Sequence, residues 1–152
     1  MMTPVGCALI ETTADSVKRI TLTSSQSRAD ATGPVVDLAK REIQAYFDGK
    51  LINFSTKVHA EGTLFQMQVW DEIVKIPFGE TATYADIAKR IERPEAWRAV
   101  ANACGANPVW LLIPCHRVVG SNGSLGGYNY GLAIKERLLA HEQTILSSIR
   151  HK

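Results

Sequence analysis

The sequence predicts an α+β fold: a small N-terminal strand-rich subdomain with one helix, over residues 1–62, followed by a mainly helical C-terminal domain, residues 63–152, containing a helix-turn-helix. Three observations lead there. β-Branched residues crowd the stretch from Val5 to Leu22 on either side of Asp15-Ser16, the pattern of two short strands about a turn. Beyond residue 62, two capping-box patterns, Thr63-x-x-Gln66 and Thr83-x-x-Asp86, each open a run of helical spacing. Apolar residues make up 45% and charged residues 21% of the 152, enough for a packed core in one domain or two small subdomains.

Each element follows from local chemistry. After the two strands, Thr23 to Gly33 is a polar loop, and Pro34 sits where a first helical residue tolerates the missing N–H. Val35, Leu38, Ala39, Ile43 and Phe47 recur near helical spacing up to Gly49, a C-terminal stop, and residues 51–58 suggest a third strand. The helix begun at Thr63 carries the stripe Phe65, Val69, Trp70, Ile73 and Val74, and Pro77-Phe78-Gly79 ends it. The second cap opens Tyr84 to Ile91; Pro94 then opens Glu95 to Cys104, with Gly105 as stop. The short turn between these two helices, and alanines at 85, 88, 96, 99, 101 and 103 that permit close approach, fit a helix-turn-helix. An ordinary antiparallel helix pair fits the same residues. Asn107-Pro108 leads into the apolar run Val109 to Ile113, read as a strand that Pro114 ends. A glycine-rich loop follows, then a last helix from Leu132 to about Glu142.

Composition narrows the function. The longest apolar run, Val109 to Ile113, is five residues against the ~20 of a membrane span, and no secretory signal is visible at the N-terminus. Three cysteines, Cys7, Cys104 and Cys115, are too few and odd for a disulfide framework; a reducing compartment is expected, the cytoplasm, or the nucleus of a eukaryote. No paired C-x-x-C or H-x-x-x-H spacing supports a metal at Cys7, His59 or His116, and no cofactor is expected. Net charge is only +2, but Lys89, Arg90, Arg93, Arg98 and Arg117 meet only Glu92 and Glu95, a modest basic patch. Alone, such a patch is more often a solvated face than a nucleic-acid footprint.

Chemistry concentrates at Ile113-Pro114-Cys115-His116-Arg117-Val118-Val119. A thiol attacks as its thiolate, and a nearby imidazole is a common way to lower a cysteine pKa from about 8.5. Neighbouring side chains on an extended segment point apart, so a turn after Pro114 is needed to bring imidazole and sulfur together, directly or through a water. The alternative is a buried cysteine acting as a small hydrophobe beside an incidental histidine, the commoner state for an isolated pair.

Taken in order, several motifs resemble the O6-alkylguanine-DNA alkyltransferase family, the methylated-DNA–protein-cysteine methyltransferases. They are Phe65 to Trp70, Ile76-Pro77-Phe78-Gly79, Thr83-Tyr84, Arg98-Ala99-Val100, Asn107-Pro108, Pro114-Cys115-His116-Arg117-Val118, Gly127-Tyr128, and Lys135 with His141-Glu142. The resemblance runs from about Thr63 to Glu142; residues 1–62 match only in size and general pattern.

The resemblance implies a single-turnover reaction in which an alkyl group passes from guanine O6 in double-stranded DNA to the protein. Cys115 would be the nucleophile and His116 the base, acting through a water, with Glu142 fixing the imidazole tautomer. Tyr84 would donate a proton or hydrogen bond to the departing guanine, and Asn107 would be a hinge before the active-site segment. Arg98 would fill the gap left by a flipped nucleotide, from a helix placed in the minor groove. The backbone at Val118, with Tyr128 as one wall and Asn129 reaching the lesion oxygen, would line the base pocket. Lys135, Arg117 and Trp110 are grouped with the substrate- and DNA-binding side chains, Trp110 standing where some relatives have a smaller residue. Tyr130 departs from the small residues common after the motif tyrosine and narrows the expected entrance. A monomer without membrane contact is implied. The non-enzymatic relatives that flip an alkylated base without accepting the alkyl group replace the cysteine, which is intact here. A transcriptional regulator would need an effector domain, and a thiol hydrolase an oxyanion hole; neither motif is visible.

Overall fold

The computed structural model describes residues 1–24 and 32–150, and the chain divides into two units, residues 1–61 with 108–112 and residues 62–107 with 113–152. Part of the expected loop between Thr23 and Gly33 lies outside the described residues.

In the first unit β1 (Met2–Thr3), β2 (Gly6–Thr12) and β3 (Val17–Thr23) form an antiparallel sheet in the order β1-β2-β3, with Ile10 opposite Ile20. The β2–β3 turn is held by Thr13, whose hydroxyl accepts from the Ser16 N–H at 3.2 Å. Ala8, Ile10, Val17, Ile20 and Leu22 are buried. Helix α1 (Pro34–Phe47) begins at the expected proline, but its buried face is Val36, Ala39, Ile43 and Tyr46; Val35, Leu38 and Phe47 are only half-buried. The face is turned because Tyr46 stacks on Phe54, with ring centroids 5.8 Å apart, and draws the inner stripe one residue along.

Two expected strands are absent. Residues 51–58 make a single parallel bridge, Val58 to Val17. Buried Glu42 replaces the ladder there: its carboxylate accepts the backbone N–H groups of Ser55 (3.0 Å) and Thr56 (2.7 Å) and the hydroxyls of both. The run Val109 to Ile113 likewise makes one bridge, with Ile20 N–H donating to Pro108 O (3.0 Å) and Trp110 N–H to Ile20 O (3.1 Å). It then turns at Leu111, whose φ of 74° lies in the left-handed region, and Leu112 N–H closes on Trp110 O at 2.9 Å. A left-handed leucine costs roughly 1–2 kcal/mol and is incompatible with a strand.

In the second unit both capping boxes form, at the starts of α2 (Leu64–Val74) and α3 (Tyr84–Arg90). Helices α3 and α4 (Trp97–Gly105) pack on each other and both on α2, whose Trp70 indole donates to Ala103 O at 2.9 Å in the interior. Helix α4 starts later than Pro94 suggests: Arg93 N–H reaches back to Ala88 O (2.9 Å) and Glu92 takes φ 62°, so the chain leaves α3 through a left-handed residue and Pro94-Glu95 form a turn. Gly105 is the last helical residue, not the stop. Strand β4 (Ala82–Thr83) pairs in parallel with β5 (Val118–Val119). Helix α5 (Leu132–Arg150) runs past Glu142, since Leu146 packs over Gly79; a Cβ on Gly79, at φ +81°, would meet Leu146 Cδ2 at 2.6 Å. Among the described residues no helix is long and apolar enough to cross a membrane.

Candidate active site

Pro114 opens a single turn of 3₁₀-helix, Cys115–Arg117, closed by Arg117 N–H to Pro114 O at 2.9 Å. Because the backbone turns here, consecutive side chains serve two places. Cys115 lines a cavity of about 360 Å³, and His116 is engaged by α5. Helix α4 supplies one cavity wall through Trp97, Ala101, Cys104 and Gly105, and Gly127, Tyr128 and Asn129 supply another. Tyr84, the first residue of α3, completes it.

His116 is fully buried, with Nε2 2.6 Å from Glu142 Oε2. The same carboxylate accepts from Arg117 Nε at 2.9 Å and from Gly79 N–H at 3.0 Å. Burial alone would raise the Glu142 pKa, but the hydrogen bonds and charges of His116 and Arg117 outweigh it and hold the carboxyl well below its ordinary range. An ionised carboxylate only accepts, so Nε2 carries the proton and Nδ1 the lone pair. Nδ1 is buried without a protein hydrogen-bond partner among the described residues. Burial pushes the His116 pKa below its usual value, against the pull of Glu142, so the imidazole is neutral and able to take a proton.

The Cys115 environment differs from the expected one. Contact with the Cys104 thiol, and then burial, push the Cys115 pKa well up; a hydrogen bond from Asn107 and the charge of Lys135 pull the other way. The neighbouring imidazole does not produce a resting thiolate. Asn107 Nδ2 also donates to Ile113 O at 2.8 Å, tying the end of α4 to the turn that carries the sulfur.

A profile of the 6-O-methylguanine DNA methyltransferase DNA-binding domain matches residues 64–144. The methylated-DNA–protein-cysteine methyltransferase of Methanosarcina barkeri is 41% identical over 149 residues, which are 94% of this chain and 94% of that protein. This chain belongs to that methyltransferase family. The inducible methyltransferase of Bacillus subtilis is 48% identical over 108 residues, covering 71% of this chain and 60% of that one. Among solved structures, Mycobacterium tuberculosis OGT in complex with DNA superposes with a TM-score of 0.87 at 35% identity, covering 95% of this chain and 91% of that chain.

Of the methyltransferase motif residues, Cys115, Tyr84, Tyr128 and Asn129 meet at the cavity, Asn107 bonds the segment that carries the sulfur, and His116 pairs with Glu142. Three others lie elsewhere than expected. Arg117 is buried, donating to Glu142 and to Ile76 O (2.8 Å), so that its charge is paired with that carboxylate. Lys135 is fully buried and donates to the carbonyls of Val118 (2.6 Å), Leu125 (2.5 Å) and Gly127 (3.0 Å), with burial lowering its pKa to about 8. It clips the loop shut and does not face solvent. Val118 is buried in the β4–β5 pair, and its carbonyl accepts from Lys135. Trp110 belongs to the core of the first unit, stacked on Phe47 at 6.3 Å, and does not line the cavity. Arg98 is exposed on α4, its guanidinium 5.0 Å from the Trp97 ring.

Trp97, Ala101 and Gly105 are cavity residues that the sequence reading missed, and Cys104, which the sequence alone does not place, lies among them. Their spacing, i, i+4, i+7 and i+8, is one face of a helix, and that periodicity was the available signal.

Proposed function

We propose that this protein repairs DNA by moving an alkyl group, chiefly methyl, from guanine O6 to Sγ of Cys115, once per molecule. The observation that carries this is the division of labour at the 3₁₀ turn: a sulfur on a cavity wall, and beside it in sequence a neutral, carboxylate-anchored imidazole. In the reaction the Cys115 thiol proton is drawn to His116 Nδ1 through a bridging water, and the thiolate attacks the saturated carbon in line. The S–C bond forms as the C–O6 bond breaks, and guanine leaves with a proton supplied by the Tyr84 hydroxyl. Burial first, and the neighbouring Cys104 charge next, raise the Tyr84 pKa, so the phenol stays protonated as a donor. Tyr84 is held in place by Gly127, whose N–H donates to the hydroxyl at 3.2 Å, while Gly126 leaves room that a Cβ, 2.5 Å from that oxygen, would take. The product thioether is not reversed by thiols, unlike a disulfide. No cofactor is needed.

DNA is the partner. The O6 of a stacked guanine is out of reach of Cys115, so the nucleotide is flipped into the cavity. Helix α4 meets the minor groove with its exposed face, Trp97, Arg98, Asn102 and Gly105, and Arg98 takes the vacated place in the stack. Exposed Lys89, Arg90 and Arg93 add phosphate contacts. The protein acts as a monomer. Its free thiols suit a reducing compartment, the cytoplasm or a eukaryotic nucleus.

The test is incubation with an oligonucleotide carrying labelled O6-methylguanine, followed by intact-protein mass analysis. One methyl per chain on Cys115, and none in Cys115→Ser, is expected. Repeated turnover, or binding without methyl uptake, would overturn the reading. Arg98→Ala should slow transfer from duplex DNA more than from the free base; equal slowing would remove its role in flipping.

A further inference from the structure

The mechanism above uses one of the two cysteines at the cavity. Cys104 comes from the C-terminal end of α4 and Cys115 from the 3₁₀ turn; both line the same cavity, and the Cys104 thiol is the strongest influence on Cys115. Cys104 is half-buried, and Cys115 is 5% exposed. Of the two residues, Cys104 is the more exposed to a small solute. The Lys135 ammonium lies close enough to act on Cys115, pulling against the burial that holds the thiol protonated. Asn107 ties the two segments together at the other side through its bond to Ile113 O.

We infer that Cys104 and Cys115 form an oxidative modification site, closing to an intramolecular disulfide with a low-molecular-weight disulfide as oxidant. The Cys104 thiolate attacks the small disulfide, forming a mixed disulfide and releasing one thiolate. Cys115 then attacks the Cys104 sulfur; the Cys104–Cys115 bond forms, the mixed disulfide breaks, and a second small thiolate leaves. The two protons lost by the protein thiols end on the two small thiols, and two electrons pass from the pair to the oxidant. A dithiol reductant reverses every step. Resting on the alkyl-transfer reading, this would take the acceptor sulfur out of use reversibly, whereas the thioether removes it for good.

The test uses the full chain and oxidised glutathione as the probe, followed by acid quenching, denaturation and alkylation with iodoacetamide. The chain has three cysteines, all free. Alkylatable thiols should fall from three to one, Cys7, with no glutathione retained. Cys104 and Cys115 share the tryptic peptide 99–117, which should lose two hydrogens. Chymotryptic cleavage between them should leave the fragments joined until dithiothreitol is added. Cys104→Ser should show no internal link under the same treatment. Three alkylatable thiols after oxidation, a stable glutathione adduct without a link, a link through Cys7, or the same mass loss in Cys104→Ser would each overturn the proposal. Methyl uptake by the reduced protein is measured separately: a chain that forms the link but never accepts methyl would sink the functional reading and leave the disulfide standing.

Discussion

Each unit of the molecule buries a glutamate on a helix and surrounds it with donors, yet only one of the two arrangements is chemistry. Glu42 accepts from the backbone and hydroxyls of Ser55 and Thr56, neutral groups that end there. Glu142 accepts from Gly79 N–H, Arg117 and His116, and the imidazole continues beyond the bond to a second nitrogen with a free lone pair. Both carboxyls are held below their ordinary pKa by these bonds, against burial that would raise them. A buried, well-satisfied carboxylate is therefore not itself a sign of a site. What distinguishes one is a partner that hands the charge on to a titratable atom beside a reactive group.

That contrast breaks most sharply at Glu142→Gln. Leaving Arg117 buried without its anion should cost about 3–5 kcal/mol in denaturant unfolding, and transfer by the folded variant should slow by about 10²-fold or more. Glu42→Gln should cost about 1–3 kcal/mol and leave the transfer rate of the native protein unchanged; slowing comparable to the Glu142 variant would erase the distinction. Next in size, Tyr84→Phe should slow transfer by about 10²-fold while lowering stability by only about 1 kcal/mol, read from paired single-turnover and unfolding measurements. Lys135→Met should cost about 1–3 kcal/mol by leaving buried carbonyls without a donor, with faster amide exchange concentrated in residues 118–127.

The acid limb sharpens the same contrast. Both glutamates have folded pKa values below 4.5, so each contributes stability that is complete above pH 4.5 and lost as pH falls through the folded value. His116 is held below 6.5, so the unfolded chain takes that proton first and stability begins to fall already as pH drops below 6.5. Glu42→Gln should flatten only the lower limb, and His116→Asn should remove the onset near neutrality. An unchanged onset in His116→Asn would show that another group sets it.

Much of the second unit was legible because its signals are local. Thr63 with Gln66 and Thr83 with Asp86 place helix starts by bonds spanning three residues, and both form as read. A turn follows Pro114, as the reading of Cys115 and His116 required. The misreadings share a cause, namely that a distant group supplied what a local pattern seemed to demand. Residues 51–58 have strand composition, but Glu42 satisfies their donors. Val109 to Ile113 is apolar enough for a strand, but it meets Ile20 once and then turns at Leu111. Arg117 read as part of a basic patch and Lys135 as a substrate- or DNA-binding side chain, and both are buried, by Glu142 and by a set of loop carbonyls that the local pattern does not reveal.

The chain alone determined where helices start, which motifs stand in order, and that Cys115 and His116 adjoin, because these depend on neighbours a few bonds away. Only the tertiary structure decided that the two side chains part, one to a cavity and one to Glu142, and that Cys104 arrives beside the acceptor sulfur. Burial and charge pairing are set by residues remote in sequence, and they are what make a thiol, an imidazole and a carboxylate into a site.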